Sequence, residues 1–229
     1  MLSSPRLKIL FGTLISFACG ATAVADDITV TDVAGREISL DAPAERVILG
    51  EGRQIYLLGL LEPEDPFAHV VGWREDFSQA DPDNYARYLE RFPEIEAIPT
   101  FGGFKDGTFD VEQAAALNPD VVLMNIEAKA ATEDAAYDGK LAQLGIPIIY
   151  VDFREDPLEN TIPSMRIIGQ IMDDEAAAEA FIEFAEAQLA RVTDVIAEAT
   201  PERPSVFIDR AGGYSDECCM SFGPANFGD

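Results

Sequence analysis

Four short apolar runs, each closed by a turn and each followed by residues at helical spacing, constrain this chain more than any other feature. They are Val47-Ile48-Leu49, Val70-Val71, Val121-Val122-Leu123-Met124 and the run from Ile146 to Val151. A run without polar alternation buries both of its faces, as in parallel sheets covered by helices on either side. The stretches that follow them read as helices: 54–61, 83–92, 132–144 (closed by Gly145) and 158–172. A further short helix starts at Asp110, with Gln113 three positions on as a reciprocal cap, and stops at Asn118-Pro119. Between them, 101–108 is a glycine-rich loop. Strand and helix in this order predict a parallel α/β sheet with right-handed crossovers. Ahead of it, alternation around Gly35 predicts a small hairpin over residues 28–40.

The pattern changes after residue 173. Ala178, Phe181, Ile182, Ala185, Leu189, Val192 and Ile196 keep the helical period across 174–199. That helix is longer than a crossover in a small sheet requires, and a stiff rod joining two lobes fits it better. Pro201 and Pro204 end it, and residues 205–209 read as a new strand. A lone strand cannot bury itself. The expectation is therefore a Rossmann-like parallel-sheet lobe, a long inter-lobe helix and the start of a second α/β lobe in which the sequence stops. In residues, 1–25 is a signal peptide, 26–157 the N-terminal ligand-binding lobe, 158–200 a helical linker and 201–229 the truncated start of a C-terminal lobe.

The signal peptide rests on Arg6 and Lys8, the apolar stretch that follows, and the small-x-small pattern Ala23-Val24-Ala25. Cys19 raises a lipid anchor as the rival, but Ser16 stands where that signal has leucine. Export predicts an oxidising compartment, in which Cys218 and Cys219, adjacent and ill placed to bridge each other, would pair elsewhere. No later segment reads as a membrane span. The formal net charge is -26, from 16 basic and 42 acidic residues. Such a surface repels phosphate backbones and excludes nucleic acid as a partner.

Several segments resemble the iron-siderophore, haem and cobalamin class of periplasmic binding proteins that serve ABC importers. They are Thr31-Asp32-Val33-Ala34-Gly35-Arg36-Glu37-Ile38, then Pro43-Ala44-Glu45-Arg46-Val47-Ile48. Phe109-Asp110-Val111-Glu112-Gln113 follows, running to Leu117-Asn118-Pro119-Asp120-Val121-Val122. The last is Leu144-Gly145-Ile146-Pro147-Ile148-Ile149-Tyr150-Val151-Asp152. The resemblance implies two Rossmann-like lobes on a rigid helix, a ligand in the cleft between them, and delivery to an inner-membrane permease. Surface glutamates meet permease arginines in that family; Glu133 is the residue singled out here.

In open parallel sheets, ligands bind beyond the carboxyl ends of the strands. That rule selects Glu51 and Arg53, Trp73 and Arg74, Asn125 and Glu127, and Phe153 and Arg154. Phe104 in the glycine-rich loop, and Arg210 and Tyr214 in the second-lobe stub, complete the set. The expected ligand-binding residues are Arg53, Trp73, Arg74, Phe104, Arg154, Arg210 and Tyr214. Arginine clamps carboxylate or catecholate oxygens through paired hydrogen bonds, and aromatic rings offer flat apolar faces. Gly50-Glu51-Gly52 fails as a dinucleotide fingerprint because Ile55 replaces the third glycine. No G-x-S-x-G elbow is present, and His69, the single histidine, reads as structural. The expectation is a monomeric periplasmic protein without catalytic residues, metal or cofactor. It captures a ferric siderophore or similar iron chelate for an ABC permease. Haem or cobalamin is the alternative within the class; an exported enzyme or a periplasmic sensor domain is the alternative outside it.

Overall fold

The computed structural model describes residues 27–199, 202, 205–209 and 221. Its centre is a five-stranded parallel sheet in the order β5-β4-β3-β6-β7. The strands are β3 (Val47–Leu49), β4 (Val70–Arg74), β5 (Thr100–Phe101), β6 (Val121–Asn125) and β7 (Ile148–Val151). An antiparallel hairpin of β1 (Ile28–Thr31) and β2 (Glu37–Leu40) precedes it, with Gly35 at φ +77° in the turn. The hairpin ties to the outer edge of β7, where the Val33 N–H donates to the Tyr150 carbonyl and the Tyr150 N–H donates to Asp32. The edge of the sheet is thereby covered.

The helices are α1 (Ile55–Leu61), α2 (Phe77–Ala80), α3 (Pro82–Arg91), α4 (Val111–Ala116), α5 (Lys129–Asp134), α6 (Tyr137–Ala142), α7 (Pro157–Ile171) and α8 (Glu175–Ala199). Both faces of the sheet are buried, and successive residues divide between them. Val47, Leu49, Val121, Leu123, Ile149 and Val151 join one apolar cluster with residues of α1, α7 and α8. Ile48, Val122, Met124, Ile148 and Tyr150 join the other, with Phe109, Ala114, Tyr137 and Leu141. The chain starts the sheet at β3, builds outward to β5, then returns to the other side of β3 for β6 and β7. The direction of winding therefore reverses between β3 and β6, and the open carboxyl ends there form the crevice of the fold.

Three details depart from the sequence reading. The expected helix over 132–144 is two helices, α5 and α6, separated by Ala136 at φ +55°. The break turns α6 so that Tyr137 and Leu141 reach the core, with Tyr137 edge-on to Phe104 and Phe109. Helix α7, expected within the linker, packs against β1 and β7 and buries Met165, Ile168 and Ile171. It is part of the lobe's outer layer. Residues 205–209, expected as a strand, form no ladder among the described residues, and Val206 and Phe207 are exposed. A strand exists only where a neighbouring edge takes its hydrogen bonds.

Asp110 caps α4 by accepting from the Gln113 N–H at 2.9 Å, whereas the Gln113 side chain donates to the Thr100 carbonyl and not back to the cap. Helix α8 has 25 residues, a length of about 37 Å at 1.5 Å per residue. Ala178 and Ile182 bury its first turns against the lobe; Phe184, Val192, Val195 and Ile196 beyond them are exposed. No helix among the described residues is long and apolar enough to cross a membrane.

Candidate functional site

The carboxyl end of β3 passes between its neighbours with no room for side chains on either side of Glu51. A Cβ at Gly50 would lie 2.8 Å from the Leu123 carbonyl, and one at Gly52 would lie 2.8 Å from the Arg74 carbonyl. The glycines thus serve close backbone approach, and they seat Glu51 at the reversal point of the sheet. Glu51 is 4% exposed. Its carboxylate accepts from Asn125 Nδ2 at the end of β6, from Arg154 Nη1 at 2.8 Å after β7, and pairs with Arg53 Nη2. Gln54 steadies the group twice: it donates to Asn125 Oδ1 at 3.1 Å and accepts from the Glu51 N–H at 3.2 Å.

Further ion pairs extend the same edge. Arg74, the last residue of β4, stands 3.8 Å from Asp76, which accepts from the Gly52 N–H at 2.9 Å. Glu127, after β6, lies 3.4 Å from Lys105 and 3.6 Å from Arg154. Burial pushes the Asp76 carboxyl above its usual range, and the Gly52 N–H and Arg74 only partly offset it. Burial works against the Arg154 charge, but Glu51 and Glu127 outweigh it and hold the guanidinium above its ordinary value. The edge is therefore a set of guanidinium groups with their counter-charges beside or beneath them.

The turn that carries Arg154 is tied by Asp152, a buried carboxylate. It accepts from the backbone N–H groups of Arg154 at 2.9 Å, Glu155 at 2.8 Å and Asp156 at 2.9 Å, and from Asn160 Nδ2 at 2.9 Å. Burial alone would raise its pKa; the donors, Asn160 first, outweigh it and hold the carboxyl below the usual range.

Of the residues expected in the site, Arg53, Arg74 and Arg154 come together at this edge with 33%, 34% and 35% of their side chains exposed. Trp73 and Phe104 do not join them. Trp73 is 2% exposed and sits among Phe67, Phe77 and Tyr85. Phe104 is 4% exposed and stacks on Phe109 at 3.9 Å. Burying the apolar area of both rings against other rings leaves the three arginines, of the expected residues described, at the surface. Arg210 and Tyr214 lie outside the described residues, as do Cys19, Cys218, Cys219 and residues 1–25. His69 pairs with Glu62 at 3.1 Å, away from the site, beside the amino end of β4. Asp76, Lys105 and Asp152 were missed in the sequence. The signal for Asp152 was present, an acid directly after an apolar run that opens a tight turn. Among the described residues no group of three His, Cys, Asp or Glu side chains converges as a metal ion would require.

Residues 77–215 match the family model described as periplasmic binding protein. Solved structures share the fold. The TroA-like periplasmic binding protein FepB from Veillonella parvula is 30% identical, with a TM-score of 0.74 over 80% of this chain and 53% of its own. The molybdate periplasmic binding protein MolA of Haemophilus influenzae is 16% identical, with a TM-score of 0.58 over 74% of this chain and 53% of its own. The siderophore binding protein BauB, solved with two molecules of acinetobactin and ferric iron, is 21% identical, with a TM-score of 0.54 over 78% and 56%. The chain spans about half the length of these relatives. No curated protein sequence matches it.

Proposed function

The chain belongs to the periplasmic binding protein family, and on that premise we propose that it carries the first lobe of an exported solute-binding protein. Its ligand is an iron chelate, a ferric siderophore, which it delivers to an ABC permease of the inner membrane. The observation that carries the reading is the meeting of Arg53, Arg74 and Arg154 at the reversal point of the sheet. They come from three separate strand ends, and the whole chain holds only 16 basic residues. Guanidinium groups partly exposed at one edge suit the carboxylate, catecholate or hydroxamate oxygens that surround chelated iron. Arg210 and Tyr214 are proposed to contact the ligand as well. Capture makes and breaks no bond. Residues 1–25 are proposed to direct export and to be cleaved.

The test uses the full-length mature protein. Trp73, the chain's single tryptophan and the residue before Arg74 on β4, serves as the fluorescence reporter. Ferric trihydroxamates, ferric catecholates, ferric carboxylates, haem and cobalamin are titrated by fluorescence and calorimetry. The expected result is saturable binding of one class of ferric siderophore, at least tenfold weaker in Arg74→Ala, which removes a guanidinium standing 3.8 Å from Asp76 with 34% of its side chain exposed. Binding of haem or cobalamin alone moves the ligand to those macrocycles. Absence of binding by every ferric siderophore refutes the proposed ligand.

A further inference from the structure

We infer that Glu51 is the positioning residue of this site, holding Arg53 and Arg154 at a fixed spacing before any ligand arrives. The inference rests on the reading above that these arginines bind ligand. Three observations lead to it. First, Glu51 is buried at the crevice, yet it touches two arginines that stand 101 positions apart in the chain, one beside it and one after β7. Second, the carboxylate is itself fixed: Asn125 holds it from β6, and Gln54 holds both Asn125 and the Glu51 backbone. Third, the backbone beneath it is closely packed: Gly50 and Gly52 fit against the Leu123 and Arg74 carbonyls without space for a methyl group.

The physical consequence is preorganisation. A long arginine side chain loses rotamer freedom when it binds, and that loss weakens affinity unless folding has already removed it. Glu51 removes much of it for Arg53 and Arg154 together, with Glu127 a further partner of Arg154 at 3.6 Å, while leaving about a third of each side chain exposed. Arg74 is not part of this arrangement; its partner is Asp76, at 3.8 Å. It serves as an internal control.

The variants are Glu51→Gln and Asn125→Ala in the full-length mature protein. The first readout needs no ligand: solvent exchange, by NMR at low temperature, of the arginine Nη–H protons, the atoms that contact the carboxylates. In Glu51→Gln, exchange at Arg53 and Arg154 is expected to rise at least tenfold, with Arg74 unchanged within twofold. The second readout is the dissociation constant for the ferric siderophore that bound the wild type in the titration above. It is expected to weaken about tenfold, although the variant has one negative charge fewer, which simple attraction of an anion would reward. Unchanged exchange at both arginines overturns the assignment. So does tighter binding, which would make Glu51 a mere counter-charge. Should Glu51→Gln fail to fold, Asn125→Ala preserves every charge and is expected to move both readouts in the same direction, by about threefold. A wild type that binds no ferric siderophore sinks the ligand reading alone, and the exchange rates then decide the role of Glu51 by themselves.

Discussion

Asp152→Ala separates the scaffold of the site from its charge. The wild-type carboxylate takes three backbone N–H groups and the Asn160 amide, all at 2.8–2.9 Å. Hydrogen bonds to a charged group contribute roughly 1.5–3 kcal/mol each, but amides at the mouth of a turn recover bonds to water when the acceptor is removed. The net cost for alanine is therefore about 3 kcal/mol, and for asparagine, which keeps one acceptor oxygen, about half of that. The assay is urea unfolding of the full-length mature protein followed by circular dichroism from pH 8 to pH 3. Because the folded pKa of Asp152 is depressed, its stabilisation is complete above the unfolded value of about 3.9 and is lost as pH falls through the folded value. The gap between wild type and Asp152→Ala should stay level from pH 8 to pH 6 and narrow below about pH 4. The turn also carries Arg154, so ligand affinity should fall with stability. A cost under about 1 kcal/mol at pH 7, or a gap that persists undiminished at pH 3, would refute the reasoning.

Other substitutions test other parts of the structure. Gly50→Ala puts a methyl group 2.8 Å from a backbone carbonyl and should destabilise by about 2–3 kcal/mol in the same urea assay. Gly169→Ala in α7 would meet the Ala178 Cβ at 2.5 Å and force α7 and α8 apart; a loss of similar size, about 2–3 kcal/mol, is expected by thermal melting. Tyr56 donates to Asp81, and burial first, with Asp81 second, pushes the phenol up to about 12. Tyr56→Phe should cost about 1 kcal/mol, and the difference in ultraviolet absorbance between the two proteins should show no phenolate from Tyr56 below about pH 11.

The order of strands and helices was legible in the chain because burial on both faces leaves a signature in sequence: runs such as Val121 to Met124 have no polar alternation. Gly35 and Gly145 were legible for a similar local reason, since each lies at positive φ. The break at Ala136 was not, because no glycine or proline marks it. It is imposed by the fit of Tyr137 against Phe104 and Phe109, residues distant in the chain. The two-residue strand β5 was equally hidden: the Trp73 N–H donates to the Pro99 carbonyl and the Glu75 N–H to the Phe101 carbonyl, pairings that only the completed sheet provides.

For the candidate site, the sequence by itself pointed to the carboxyl ends of the strands and to the cations that stand there. Tertiary structure alone decided which of them are available. Trp73 and Arg74 are neighbours on β4, and alternation sends them to opposite faces, but a run buried on both sides does not reveal which face closes. The meeting of Glu51 with Asn125 and Arg154 has no local signal at all, because winding reverses between β3 and β6, and that reversal exists only once the sheet has assembled.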